Sequence, residues 1–446
     1  MSWIELFRGV NMIKDITNQK VAHEKTETYY AYLRILNEEL IPAMGCTEPI
    51  ALAYAAAKAR CVLGEIPDKI DVCVSGDIIK NVKSVVVPNT NGLKGIKAAV
   101  AAGIISARED RVLEVLADMT PNEKLQIRKY LENTVINVSP SHSSLNFDIN
   151  LTLYKGNSYT KLRITEDHTN VVLIEKNGDI LYQPGKINSH AEHNNDKQLL
   201  DINNIFKFAN VVEINDIKNI ISRQIRYNMN IAEEGLKNNY GANIGKVLLS
   251  MYGNDIKIRA KAKAAAASDA RMNGCELPVI IVSGSGNQGI AASVPVIEYA
   301  TEYHIDSDTL YRALVLSNLI AIYLKTGIGC LSAFCGAVCA GCASGAAIAY
   351  LLGGDLNAVS NTISNSLAIV SGIICDGAKS SCASKIASSV EAGILGYHMY
   401  LNEHDFLPGD GIVGNNMENT VNNIWRLAKI GMKETDVEIL NIMTEN

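Results

Sequence analysis

Apolar residues recur every three to four positions along TYYAYLRILNEEL, which predicts a helix opening near Thr26 and stopping before Pro42. After the break PAMGC the same period returns in EPIALAYAAAKARCVLG. A second helix is expected there from Thr47, with Thr47 as its cap, Pro49 in the first turn and Gly64 as the stop. The period then changes from helical to alternating. KIDVCVSGD, KSVVVPNTNG, TVINVS, FDINLTLYKGNSYTKLRIT and HTNVVLIEKNGDILYQ read as strands joined by NG, GN and GD turns. Lys176 to Asp179, KNGD, is a hairpin turn signal. Helices at GIKAAVAAGIISARED and PNEKLQIRKYLEN interrupt the strands, and SHAEHNNDKQLLDINN is a polar exit. Beyond about residue 210 the pattern is helical almost throughout, with corners at GSGNQG, KTGIG, LLGGD and PGDGIVGNN. The expected fold is α+β: a mainly helical catalytic domain with Gly/Ala-rich packing, plus an inserted α+β domain. The expected boundaries are 1–65 for N-terminal helices joining the helical domain, 66–205 for the insertion, and 206–446 for the helical catalytic domain.

Composition supports that packing. The 446 residues are 48% hydrophobic but only 6% aromatic, so Ala, Gly, Val and Ile fill the interior. A net charge of −6 and the lack of basic runs argue against a nucleic-acid partner. The opening MSWIELFRGVNMIKD has scattered charges and no apolar core like that of a signal peptide, and Met12 is an alternative start. A cytoplasmic protein is expected, its ten cysteines in a reducing compartment where disulfides are the less common use. The charge-free stretch from Gly327 to Gly354 is long enough to span a bilayer but lacks aromatic and basic flanks. It reads as a buried helix whose Gly341 and Gly345 allow close approach, so no membrane partner is expected. Such small-residue helices are compatible with a homo-oligomer.

Three constellations carry chemistry. The first is the thiols: Cys335, Cys339 and Cys342 fall at i, i+4 and i+7 on one helix face, while Cys375 and Cys382 frame the polar loop CDGAKSSC. Buried filler, disulfides, zinc and an iron–sulfur cluster are the alternatives. Asp376, Lys379, Ser380 and Ser381 suit thiolates better than an apolar core. Cys339 and Cys342 have zinc-knuckle spacing but no partner pair, and three cysteines from two segments fit a cluster better. The second is SGSGNQG, Ser283 to Gly289, where an apolar run turns into a helix start. Ser283, Ser285, Asn287 and Gln288 are candidate substrate-binding residues, because N–H groups at such a start receive a carboxylate or phosphate. The third is MGCTEP: Cys46 before a helix start is expected to have a depressed pKa, with Glu48 able to orient it or accept protons. His168, read as beginning a strand, is structural or catalytic.

Together GCTEPIALAYAAA, SGSGNQG, LSAFCGAV and CDGAKSSCASK, with the tail GDGIVGNNMENTVNNIWRLAKIGM, resemble the L-cysteine desulfidases from about Tyr29 to the C-terminus. The two cysteine motifs also resemble the iron–sulfur L-serine dehydratases. The resemblance implies a four-iron, four-sulfur cluster on Cys335, Cys375 and Cys382. One iron is then open to bind the leaving group, and Cys339 and Cys342 are left in supporting positions. It also implies Cys46 as the base of an α,β-elimination of a small amino acid, L-cysteine, to pyruvate, ammonia and hydrogen sulfide. Lys379 is a candidate helper by its position in the CDGAKSSC loop alone. Rival readings are a serine dehydratase with the same apparatus, a pyridoxal-phosphate lyase using Lys325 or Lys379, and a non-enzymatic thiol sensor.

Overall fold

The computed structural model describes residues 26–141, 143, 145–184, 196–329 and 331–445. The expectations about the N-terminal start, Cys330 and the beginning of the polar exit lie outside the described residues. Helices make up 60% of the structure, and the mainly helical α+β class expected is the one observed.

Helix α1 (Glu27–Glu39) is capped by the Thr26 hydroxyl, which accepts from the Tyr29 N–H. The PAMGC break then contains a short strand, β1 (Pro42–Met44), which the sequence pattern did not suggest. Helix α2 (Thr47–Leu63) follows, with Cys46 rather than Thr47 in the cap position. Next come β2 (Lys69–Val74), α3 (Gly76–Val82), α4 (Gly95–Ser106) and α5 (Pro121–Asn133). The start of α5 is fixed by a reciprocal box between Thr120 and Glu123. Strands β3 (Val135–Pro140), β4 (Asp148–Lys155), β5 (Ser158–Thr165), β6 (Val171–Lys176) and β7 (Asp179–Tyr182) complete a six-stranded sheet in the order β3-β2-β4-β5-β6-β7. Only β2 and β3 run parallel. The KNGD turn closes β6 on β7 with Lys176 opposite Asp179, as its sequence predicts. One face of the sheet lies on α2, whose body also packs against α4.

The rest is helical: α6 (Ile202–Val211), α7 (Ile214–Lys237), α8 (Ile244–Tyr252) and α9 (Ile256–Met272) precede a short strand, β8 (Pro278–Ile280). Then follow α10 (Gly286–Glu302), α11 (Ser307–Thr326), α12 (Gly336–Leu351), α13 (Leu356–Val370), α14 (Cys382–Leu401), α15 (Met417–Arg426) and α16 (Lys433–Glu445). Buried helix α12 sits at the centre, packed on α10, α11, α13 and α14. Its contact with α14 is backbone to backbone: a Cβ on Gly345 would lie 2.4 Å from the Gly393 carbonyl oxygen. No helix among the described residues is long and apolar enough to cross a membrane.

One small element positions the site. Strands β1 and β8 pair antiparallel, with Pro42 opposite Ile280 and Met44 opposite Pro278. That ladder brings Cys46, just after β1, beside the SGSGNQG turn, just after β8. The Thr47 hydroxyl ties the two by donating to the Gly284 carbonyl at 2.9 Å.

Candidate active site

A cavity of about 100 Å³ lies where α2, α10, α12 and α14 begin. Cys46, Glu48, His168, Ser283, Ser285, Asn287, Gln288, Cys335, Cys375 and Cys382 all line it. Residues far apart in sequence thus share one chamber. Cys339 and Cys342 lie fully buried inside α12, whereas Cys335 is the cap residue in front of that helix. The three therefore do not act as one helical face, because the chain leaves helical geometry at Cys335.

The wall of thiols is built by backbone bonds. Phe334 and Ile374 form an isolated antiparallel bridge. On either side of it the Cys335 N–H donates to the Ile373 carbonyl at 3.1 Å and the Cys375 N–H to the Ala333 carbonyl at 2.6 Å. Cys382 opens α14 on the far side of the loop, its thiol 3.7 Å from the Gly377 carbonyl. The Cys335 and Cys375 thiols act on each other, which depresses the Cys375 thiol and raises that of Cys335. Lys80 and Lys325 add to the depression at Cys375. Burial pushes the Cys382 thiol up. Among the described residues, no three His, Cys, Asp or Glu side chains stand in a preformed metal-binding group. The donor set nonetheless suits an iron–sulfur cluster: three thiols face one cavity that Lys80, Lys325 and Lys385 also line.

Cys46, which shares a small packed cluster with Met272 and Cys382, departs from expectation. Its thiol is raised, not depressed: burial is the main cause and the Glu48 charge adds to it, against an opposing pull from Arg271. Desolvation outweighs the helix start. The thiol donates to Glu48 Oε2 at 2.9 Å, and Asn81 Nδ2 donates to Glu48 Oε1 at 3.2 Å. In the SGSGNQG turn the Ser283 N–H is already taken, donating to Glu39 Oε2 at 2.9 Å. The N–H groups of Gly286, Asn287 and Gln288, in the first turn of α10, have no acceptor among the described residues. The Asn287 side-chain Oδ1 accepts from the Ser268 hydroxyl at 3.2 Å.

Other expectations shift too. His168 sits in the turn before β6 rather than in a strand, its ring edge-on to Phe147 at 4.8 Å. Lys379 does not line the cavity; it pairs with Asp376 at 2.6 Å. Residues the sequence reading passed over are Arg271, Lys80, Asn81 and Lys385. A signal existed for Arg271, a charge interrupting the alanine-rich run KAAAASDARM. Buried side-chain atoms without a partner gather here: Arg271 Nε, Gln288 Oε1 and His168 Nε2. Such orphans in a native fold mark a place built for something else to bind.

The chamber thus brings thiols, cations and an open helix start together. Residues 110–441 match the family described as serine dehydratase alpha chain, and the chain belongs to that family of iron–sulfur dehydratases. It is 59% identical over 421 residues to a UPF0597 protein of Desulfitobacterium hafniense, covering 94% of this chain and 98% of that protein. It is 48% identical over 415 residues to a UPF0597 protein of Lachnoclostridium phytofermentans, covering 93% and 99%. A UPF0597 protein of Treponema denticola is 44% identical over 433 residues, covering 96% and 99%.

Proposed function

We propose that the protein eliminates the β-substituent of L-cysteine, releasing hydrogen sulfide and leaving pyruvate and ammonia. Cys335, Cys375 and Cys382 would hold a four-iron, four-sulfur cluster, and Cys46 would be the base. The observation that carries this reading is the cavity itself, which Cys46, Glu48 and the three thiols line together beside the open start of α10. When bound on three cysteines, such a cluster supplies a Lewis-acidic iron with a free position for a leaving thiolate or hydroxide.

The chain's own residues do the rest. Lys80, Lys325 and Lys385 offset the negative charge of the thiol wall. The N–H groups of Gly286, Asn287 and Gln288, flanked by Ser283 and Ser285, receive the substrate carboxylate and so acidify its Cα–H. Cys46 rests as a protonated thiol hydrogen-bonded to Glu48. In this reading it passes that proton to Glu48 and takes the Cα proton as a thiolate. Burial keeps water from competing for it. Aminoacrylate then leaves, tautomerises and is hydrolysed by water to pyruvate and ammonia.

Serine is the second reading, favoured by the family to which the chain belongs. Anaerobically purified protein with its iron and acid-labile sulfide quantified, offered L-cysteine and L-serine separately, decides between them. Sulfide and pyruvate in equal amounts from cysteine support the proposal. Pyruvate from serine alone supports the dehydratase. Cys46→Ser is expected to keep iron and lose turnover; retention of both would remove Cys46 from the chemistry.

A further inference from the structure

Arg271 is charged, 2% exposed and unpaired. It lies in the last turn of α9, its Nε buried without a partner. Among the described residues no ion pair or hydrogen bond engages its guanidinium, although the charges of Cys46, Glu48 and Cys382 reach it. Isolated burial of a guanidinium is costly, so a fold that keeps one leaves it for an anion that arrives later. The guanidinium is pressed on the start of α10: a Cβ on Gly286 would lie 2.3 Å from its Nε and 2.7 Å from its Cζ. Only glycine at that point lets the side chain reach the cavity. The N–H groups of Gly286, Asn287 and Gln288, which have no acceptor among the described residues, lie beside it. Two independent features, a helix start and a buried unpaired cation, thus converge on one spot.

We infer that Arg271 is the carboxylate-recognition residue of the site, pairing with the α-carboxylate of the amino-acid substrate against the first turn of α10. This rests on the proposed amino-acid elimination and deepens it. The consequence is selectivity for a free α-carboxylate, because an ester, an amide or a decarboxylated analogue leaves the guanidinium buried and unpaired. The planar fork of Arg also fixes the direction of the carboxylate, and with it the direction in which the Cα–H points. Cys46, Glu48 and Cys382, whose charges reach Arg271, line the same chamber.

The test uses the cluster-loaded protein and two thiols that it cannot convert: 3-mercaptopropionate, with a carboxylate and no amine, and cysteamine, with an amine and no carboxylate. Dissociation constants are measured calorimetrically under argon for wild type, Arg271→Gln, Arg271→Lys and Gly286→Ala, alongside iron content. Arg271→Gln is expected to weaken 3-mercaptopropionate about 30-fold or more, and cysteamine by no more than about twofold, the scale of losing a charge-assisted pair. Arg271→Lys should fall between, and Gly286→Ala, which displaces the guanidinium from the helix start, should shift the same ratio. An unchanged ratio between the two thiols overturns the assignment, as does an equal loss of both or a loss of iron with the ratio intact. If Arg271→Gln does not fold, Gly286→Ala alone decides by the same ratio. Wild type that makes sulfide and pyruvate from cysteine while the ratio stays fixed in the variants sinks only the Arg271 assignment. Wild type that converts neither cysteine nor serine sinks the function and this inference with it.

Discussion

At the scale of single residues, burial decides the charges that a helix start was expected to set. Cys46 shows it, its thiol raised by desolvation and by Glu48 despite its cap position. Asp269 shows it where no cluster or substrate intervenes. Its carboxylate is pushed up from 3.8 to about 6 by burial, although backbone N–H groups at the start of α8 pull the other way. The native state therefore holds a proton that the unfolded chain has lost between pH 4 and 6. Stability from this group is fullest below the unfolded value, falls as pH rises through that window and is level above it. A rise of that size corresponds to about 3 kcal/mol. Asp269→Asn, which keeps an acceptor oxygen for Gly245, should gain on wild type progressively over pH 4–6 and by a constant amount above. Urea midpoints at closely spaced pH values read this directly; a gap that does not vary with pH would deny Asp269 the role.

At the scale of elements, the decisive contact is the one between α12 and α14. Small residues let the two backbones touch, which sets how close Cys335, in front of α12, comes to Cys382, at the start of α14. Ala at position 345 would drive a methyl group into the Gly393 backbone, with no flexible side chain to yield. Gly345→Ala should cost about 2–3 kcal/mol of unfolding free energy, the range of overpacking a tight core. Gly372→Ala is the control, since a Cβ there meets nothing within 4 Å. Equal urea midpoints for the two variants would mean that the helices part easily.

At the scale of the whole molecule, the thiol wall is an assembly of distant segments. Lys80 from α3 lines the chamber and also pairs with Asp77 and with Asp436 of α16. The C-terminal helix is thereby tied to the region around the site. Because Cys335, Cys375 and Cys382 face one cavity while Cys339 and Cys342 are sealed inside α12, their variants should divide cleanly. Iron content after anaerobic reconstitution should drop in Cys335→Ala, Cys375→Ala and Cys382→Ala and persist in Cys339→Ala and Cys342→Ala. Iron lost from either of the last two, in a folded variant, would redraw the ligand set.

Much was legible from the chain alone, because it was local. Hydrophobic period and the KNGD turn determined most helices, the strands of the sheet and one hairpin, since each depends on residues within one or two turns. The motifs around Cys46, Ser283 and Cys375 were visible for the same reason. What only the tertiary structure decided was what meets what. β1 has three residues and no alternation long enough to detect, yet its pairing with β8 brings Cys46 to the SGSGNQG turn. Arg271 looks in sequence like the basic end of an alanine-rich helix, where solvent exposure would be ordinary. Its meaning comes from being buried with no carboxylate in ion-pair contact among the described residues, and burial is a property of the packed molecule, not of the neighbouring residues in the chain.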